Sequence, residues 1–573
     1  MLDRRRPLWK SSILHLVLVA GAVVFGLPYA WLVGTSWKLD KEVQTAQIRI
    51  WPQRPIPATA SPYIDTREFP RIVRPEYAPR ESWDRWMQWS LRRAIEEAIR
   101  GWHDERAAPL LNRRNQEALA CGVFRRLFSV LPHSTWQATD KAAFEATVAK
   151  ALSADMVRDS FAQAYRYFAI GTVRLVTQDY RITDLTAGRL QSNGWQVVSG
   201  PAQIEEQTEA GRSVAAVHYD FDTAVPTRKG DVFEIARMFE APADLAAPES
   251  GFKRIELSFH SDQSWHDMRV LVEMNGKLYR SASPKYLADD FWWETYFQLP
   301  GPDDQRLMPR RYILLKEIAA GRQYDHGPRG LKVRIRIERS GAIEALWAKG
   351  TENYRKAFDE VPFWRYFKTS VFLVIVNVIG TAVSCSLAAY AFARLNWPGR
   401  NLCFVLVLAT LMIPPQVTMI PSFVIYKYLG WYNTLSPLWV PNCLAVNGFA
   451  IFLLRQAMKG IPKDLEEAAK IDGAGHLRIY WHIMMPLVRP TLAAIGIFTF
   501  MSVWNDFMSP LIYVNDQRLY PLALGLFSFM AGRENQFTLI MAGSMIMTLP
   551  VIITFFLAQR YFIQGVAMSG MKN

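Results

Sequence analysis

The chain has 573 residues, half of them hydrophobic and 13% aromatic, with a formal net charge of +14. That length allows two to four domains. The positive balance would suit nucleic acid, but Lys and Arg are scattered, with no dense basic run and no zinc-ligand or RNA-binding signature, so nucleic acid is set aside as a partner.

The apolar residues are not evenly spread. Residues 11–34 and 366–560 carry few charges, whereas 38–362 is polar, charged and punctuated by proline. This is the pattern of a membrane protein with a large water-soluble insertion. The first apolar stretch, near 12–34, follows Arg4, Arg5, Arg6 and Lys10. It is longer than a signal-peptide core and no small-x-small cleavage pattern follows, so it reads as an uncleaved anchor. Residues 1–36 thus form the tail and first span.

Residues 37–82 hold Pro52, Pro55, Pro57, Pro62, Pro70, Pro75 and Pro79 and read as an extended connector. From 83 to 170 the period is helical: Trp86, Trp89, Leu91 and Ile95 recur at i, i+3 and i+4, and Phe124, Leu127, Phe128 and Leu131 repeat it. After Gly171 the period changes to two and stays so to about 346. Asn275-Gly276 marks a two-residue hairpin turn. Several such strands predict an antiparallel β-sandwich of jelly-roll type. Trp265, Tyr279, Trp292, Trp293 and Tyr296 are either core aromatics or a platform for sugar rings. Cys121 is the only cysteine of this insertion, which excludes a disulfide within it, and no metal-ligand spacing or paired catalytic carboxylates stand out.

The apolar remainder, 350–573, holds stretches at about 367–393, 402–425, 436–455, 487–512 and 538–559. Each approaches the roughly 20 residues that cross a 30 Å hydrocarbon layer. With the anchor, six transmembrane helices are expected. Alternate crossings from a cytoplasmic N-terminus put the insertion outside and both termini inside. Arg394, Arg400, 455–489, Arg560 and Lys572 then face the cytoplasm, in line with the positive-inside rule.

A loop at 460–486 separates the fourth and fifth stretches. Asp464, Glu466 and Glu467 place acid where a helix N-terminus favours it, and Pro462 precedes them. Leu465, Ala468, Ala469 and Asp472 mark a short helix with one small-residue face, and Gly473 and Gly475 stop it. A second amphipathic piece leads to Pro486. A helix this short gains little stability alone. It is either a docking element for a partner's groove or an ordinary interfacial loop. Within the spans, polar residues and helix breakers mark candidate paths: Gln416 beside Pro414 and Pro415, and Trp504, Asn505 and Asp506 past the middle of span five. Asn377, Asn442 and Asn447 read instead as inter-helix hydrogen-bond partners.

The spacing Glu467-Ala468-Ala469, Gly473, Ile483 and Pro486 resembles the EAA loop of bacterial ABC-importer permeases, with Met485 where Leu is usual. Ser36-Trp-Lys-Leu-Asp, Glu352-Asn-Tyr, Ala388-Ala-Tyr-Ala-Phe-Ala-Arg, Met412-Ile-Pro-Pro-Gln, Trp504-Asn-Asp-Phe and Gln559-Arg-Tyr-Phe are similar to stretches of the carbohydrate-uptake permeases of the maltose-importer second-subunit type. The resemblance implies a type I ABC-importer permease fold in a bacterial inner membrane. It also implies that Glu466, Glu467, Ala468, Ala469, Asp472, Gly473 and Pro486 couple to an ATPase, and that the partners are a second permease subunit, two ATPase subunits and an extracytoplasmic solute-binding protein. The chain has no Gly-x-x-x-x-Gly-Lys-Ser/Thr loop, so ATP and Mg are expected on the ATPase and no cofactor here. On this reading the chain is a transport subunit and not an enzyme. The competing reading is a membrane-anchored scaffold or sensor in which the insertion does the work.

Overall fold

The computed structural model describes residues 8–44, 49–177, 182–184, 194–209, 211–222, 231–240, 252–300, 312–327, 330–444, 447–531 and 537–570. Arg4, Arg5, Arg6 and Lys572, used in the orientation argument, lie outside them. The chain divides into two units, Met1–Gln53 with Lys349–Asn573, and Arg54–Gly301 with Tyr312–Ala348.

In the first unit the main helices are α1 (Leu8–Ser36), α2 (Ala342–Glu360), α3 (Phe363–Arg394), α4 (Arg400–Thr410) and α5 (Pro415–Tyr428). They continue with α6 (Gly448–Lys459), α7 (Asp464–Ile471), α8 (Arg489–Trp504), α9 (Leu522–Ala531) and α10 (Phe537–Gly570). Three segments among the described residues are long and apolar enough to cross a membrane: His15–Ser36, Phe363–Arg394 and Phe537–Leu557. Two more pass only as bent pairs. The α4–α5 pair turns through 101° and the His476–Leu487 segment meets α8 at 76°. Pro414 and Pro415 account for the first bend, because proline cannot donate to the helix ladder and excludes helical backbone before it.

The expected span at 436–455 is not a continuous helix. It breaks into Ser436–Trp439, a turn at Pro441–Leu444 and then α6. At about 1.5 Å per residue, α6 is roughly 18 Å long, short of a 30 Å layer. Pro437 and Pro441 break the ladder, and the Asn447 side chain caps α6 by accepting from Ala450 N at 3.0 Å. Apolar length alone predicted one continuous helix here.

The carbonyls freed by that break are met by α3. Its buried residues Tyr366, Ser370, Leu373, Asn377, Thr381, Cys385 and Ala389 recur at three and four, which aligns them on one face. Asn377 Nδ2 donates to Leu438 O at 3.1 Å, and Asn442 Nδ2 donates to Asn377 Oδ1 at 2.6 Å. Ser384 Oγ donates to Asn442 O at 3.2 Å, and Ser370 Oγ accepts from Leu522 N at 2.8 Å where α9 begins. Left unpaired in an apolar medium, each group would cost several kcal/mol. Asn377 and Asn442 thus bond between segments as their positions in the sequence indicate, whereas the Asn447 side chain caps its own helix.

Two stretches more than 300 residues apart close the base of the insertion. Asn353 Nδ2 donates to Ser36 O at 2.9 Å and to Lys38 O at 3.1 Å, and Ser36 Oγ lies 2.8 Å from Tyr354 Oη. Lys349 adds a buried ion pair with Glu42 and a bond to Gln53 O at 2.7 Å. Asp40 reaches the other end of the unit, accepting from Thr538 N at 3.0 Å and Thr538 Oγ1 at 2.8 Å to cap α10.

The second unit has two cores. Helices between Arg80 and Ala164 bury Met87, Leu91, Leu119, Leu127, Trp136 and Phe144. The helical text ends at Ala164 and strands begin at Tyr165, a few residues before Gly171. The strands bury Phe168, Ile235, Ile255, Phe259, Val270 and Ile335 in a single cluster. Alternation sets the register: Ile255, Leu257 and Phe259 point in, while Glu256, Ser258 and His260 do not. Pairing is antiparallel except where Trp292–Gln298 lies parallel to Ile313–Ala320. Asn275 and Gly276 take φ of 50° and 72°, the left-handed pair that a type I′ hairpin turn requires. The proline-rich strip contributes short strands, Ala60–Ser61 pairing with Tyr219 and Asp220, and Tyr63–Ile64 pairing with Tyr165 and Arg166.

Trp265 is buried rather than exposed, with φ of 62°, because its loop folds over a polar knot. There Tyr219 Oη donates to Asp262 Oδ2 at 2.7 Å, Tyr63 Oη donates to Asp262 O at 2.7 Å, and Ser340 N donates to His266 Nδ1 at 3.2 Å. Burial holds the His266 imidazole down at about 4 from 6.5. Between those values the unfolded chain takes up a proton that the folded chain refuses, so this residue's effect is loss of stability as pH falls. Urea unfolding of this unit should therefore show about 2 kcal/mol less stability at pH 5 than at pH 7. His266→Gln should flatten most of that difference; an unchanged slope would assign it to other groups.

Candidate functional site

Helix α7 starts with Asp464, Glu466 and Glu467 in its first turn, and its end is closed by backbone alone. Ala474 N donates to Ala469 O at 2.9 Å and Gly473 N to Lys470 O at 3.0 Å, the paired bonds of a Schellman cap. Gly473 takes φ of +78°, and a Cβ there would meet nothing within 4 Å. The glycine is thus required by backbone conformation and not by crowding. After the cap, His476–Ile479 opens a second helical piece that runs through a π-type turn at Tyr480–Met484 to Leu487. The 76° bend follows at Val488, so Pro486 lies just before the corner.

This elbow has an inner and an outer side. Ile479, Tyr480 and Met484 are buried against Cys385, Ala389, Tyr390, Leu454 and Met458. Tyr480 Oη lies 2.6 Å from Ser386 Oγ, and its ring is 5.5 Å from that of Tyr390. Glu466 is also turned inward, with its Oε1 3.0 Å from Arg394 Nε and both side chains buried. Glu467, Ala468, Asp472 and Gly473 are exposed, while Ala469 and Pro486 are half-buried. Between them project large apolar side chains, Leu465, Ile471 at 87% exposure, Leu477 at 71% and Trp481. Burying such groups is favourable by about 25 cal/mol per Å². An apolar ridge with acid at a helix N-terminus can fill a groove in another protein that offers apolar walls and a basic rim.

The four candidate path residues do not form one cluster of exposed groups. Gln416 is exposed at the start of α5. Trp504 is buried among Leu522, Leu526 and Leu539, with its Nε1 donating to Met547 O at 3.0 Å. Its environment is that of a packing residue with a satisfied indole. Asn505 is exposed and donates from Nδ2 to Met501 O at 2.8 Å. Half-buried Asp506 accepts from Ser509 N at 3.0 Å, stabilising the start of the next short helix. Sequence reading did not single out Ser386, Tyr390, Arg394 or Tyr480 as the seat of the elbow. The four-residue spacing of Ser386, Tyr390 and Arg394 was the available signal. No three His, Cys, Asp or Glu side chains group as a metal set among the described residues.

Comparison with known proteins places this geometry. A family model described as "Binding-protein-dependent transport system inner membrane component" matches residues 380–568, which include the whole elbow. An arabinooligosaccharides transport system permease protein of Halalkalibacterium halodurans is 36% identical over 223 residues, 39% of this chain and 79% of that protein. An osmoprotective compounds uptake permease protein of Synechocystis sp. is 34% identical over 222 residues, 39% of this chain and 74% of that protein. An sn-glycerol-3-phosphate transport system permease protein of Yersinia pestis is 31% identical over 229 residues, 40% of this chain and 79% of that protein. With its elbow inside the matched region and relatives aligned over most of their own length, the chain belongs to the binding-protein-dependent transport system inner membrane component family.

Proposed function

We propose that this chain is one permease subunit of an ABC importer in a bacterial inner membrane, carrying a sugar or oligosaccharide delivered by an extracytoplasmic binding protein. The outer side of the elbow carries the reading: Glu467, Ala468, Asp472 and Gly473, flanked by Leu465, Ile471 and Leu477, form an exposed ridge on a buried base. That ridge docks on a separate ATPase, where ATP and Mg are held, and two ATPases serve this chain and a second permease subunit. Ala469, Pro486 and inward-facing Glu466 act from beneath, shaping the ridge.

The membrane arrangement that goes with this is six crossings with both termini cytoplasmic. The segment from 436 to 459 then crosses as a broken span and the insertion lies outside. Its division into a connector to 82, a helical part to 170 and a strand part to 346 gives an outer module suited to meeting the binding protein. The substrate path runs past Gln416, Asn505 and Asp506, with Trp504 backing it from the packed side. Amide and carboxylate groups suit a neutral hydroxylated ligand. The relatives named for arabinooligosaccharides and for sn-glycerol-3-phosphate support a polyhydroxylated substrate.

Reconstitution with the partner permease, ATPases and binding protein tests the reading. ATP hydrolysis should rise when substrate-loaded binding protein is added to the outer side; hydrolysis indifferent to it would contradict the assignment. Gly473→Val should strain the left-handed position by about 1–2 kcal/mol and put a branched side chain on the ridge. Uptake per ATP should then fall, while Gly473→Asn, which tolerates that conformation better, should retain more of it. Deleting 60–345 should leave ATP hydrolysis by the assembled complex measurable and reduce its response to the binding protein.

A further inference from the structure

We propose that Arg394 and Glu466 form a rigid joint that makes α3 and the elbow helix α7 move as one body, so that a push on α7 is delivered along α3. The inference rests on the reading that α7 docks on an ATPase, and it names positioning residues that lie away from the docking ridge.

Four observations carry it. Arg394 and Glu466 are both buried, so the charges are shielded from water and neither can leave without stranding the other. The Arg394 fork also donates from Nη2 to Met458 O and, at 2.6 Å, to Ile461 O. One guanidinium therefore holds the end of α3, the end of α6 and the start of the elbow. The attachment is then repeated on the far side of α7, where Tyr480 meets Ser386 at 2.6 Å and packs on Tyr390. Ser386, Tyr390 and Arg394 are four apart, so a single stripe of α3 grips the elbow before and after its helix.

The same helix carries the grip onward. Above this stripe, Ser384 and Asn377 bond the broken segment through Asn442 and Leu438, and Ser370 bonds the start of α9. The 436–444 segment has only two single helical turns, Ser436–Trp439 and Pro441–Leu444, and the bonds from α3 tie both of them to that helix, so its position follows α3. A displacement at the elbow is thereby converted into a displacement of the broken segment that this helix holds, with no need for a change inside α3.

The joint is tested in the assembled complex with bio-orthogonal spin labels at exposed Leu387 on α3 and at exposed Lys470 on α7, which is not one of the ridge residues. Between nucleotide-free and ATP-bound states the label distance should stay constant within about 2 Å, the scale of small helix shifts. A change of about 5 Å, one helical turn, would overturn the joint. Arg394→Lys keeps a positive charge but cannot fork to three segments. It should lower uptake per ATP hydrolysed by about ten-fold, and a ratio equal to that of the unsubstituted complex would also overturn the proposal. If Arg394→Lys does not assemble, the label distance in the complex with the native pair still decides. Failure of the unsubstituted complex to respond to loaded binding protein refutes the functional reading instead; a moving label distance refutes the joint.

Discussion

The membrane unit depends on one helix that supplies hydrogen bonds to backbone unable to supply its own. A bilayer offers no water to pair with an open carbonyl, so a broken span survives only where protein groups meet it. In this chain those groups sit on the buried face of Phe363–Arg394: Ser370, Asn377, Ser384, Cys385, Ser386 and Arg394. Remove that face and the segment at 436–444, the entry to α9 and the elbow all lose partners together. Apolar packing supplies most of the remaining cohesion, with Leu454, Met458, Tyr480 and Met484 closing over the C-terminal end of the same helix.

The insertion does not disturb this arrangement because its ends are pinned to each other. Asn353 ties itself to the backbone of Ser36 and Lys38, and Tyr354 meets the Ser36 hydroxyl. These are the two stretches that resemble one family in sequence although more than 300 residues separate the motifs. A turn closed by side chain to backbone bonds accepts added chain at modest entropic cost, since loop-closure entropy grows only with the logarithm of length. Within the insertion, helices and strands each bury their own core.

Much of this was legible in the sequence where a local rule governs it. The elbow showed in its acidic start and its glycine stop, and the hairpin at Asn275-Gly276 showed in the two residues that tolerate positive φ. Alternation gave the buried face of Phe252–His260 residue by residue. Illegible features were those set by distant partners. Apolar length predicted one continuous helix over 436–455, although Pro437 and Pro441 interrupt it. Adjacent Glu466 and Glu467 look alike in sequence, yet helical rotation turns one toward Arg394 and leaves the other in solvent. Trp504 looked like a ligand contact and is packing; Trp265, left open between core and platform, is buried. The parallel pairing of Trp292–Gln298 with Ile313–Ala320 has no sequence signature, because strand order is decided by non-local contacts.

The central claim is that the exposed outer side of the elbow is a docking surface for an ATPase. Its most direct test is a photoreactive side chain at Ile471, which is 87% exposed on the ridge, activated in the assembled and transport-competent complex. The account predicts a covalent product joining this chain to the ATPase subunit. A product with lipid alone, formed while the complex still hydrolyses ATP in response to substrate, would contradict it.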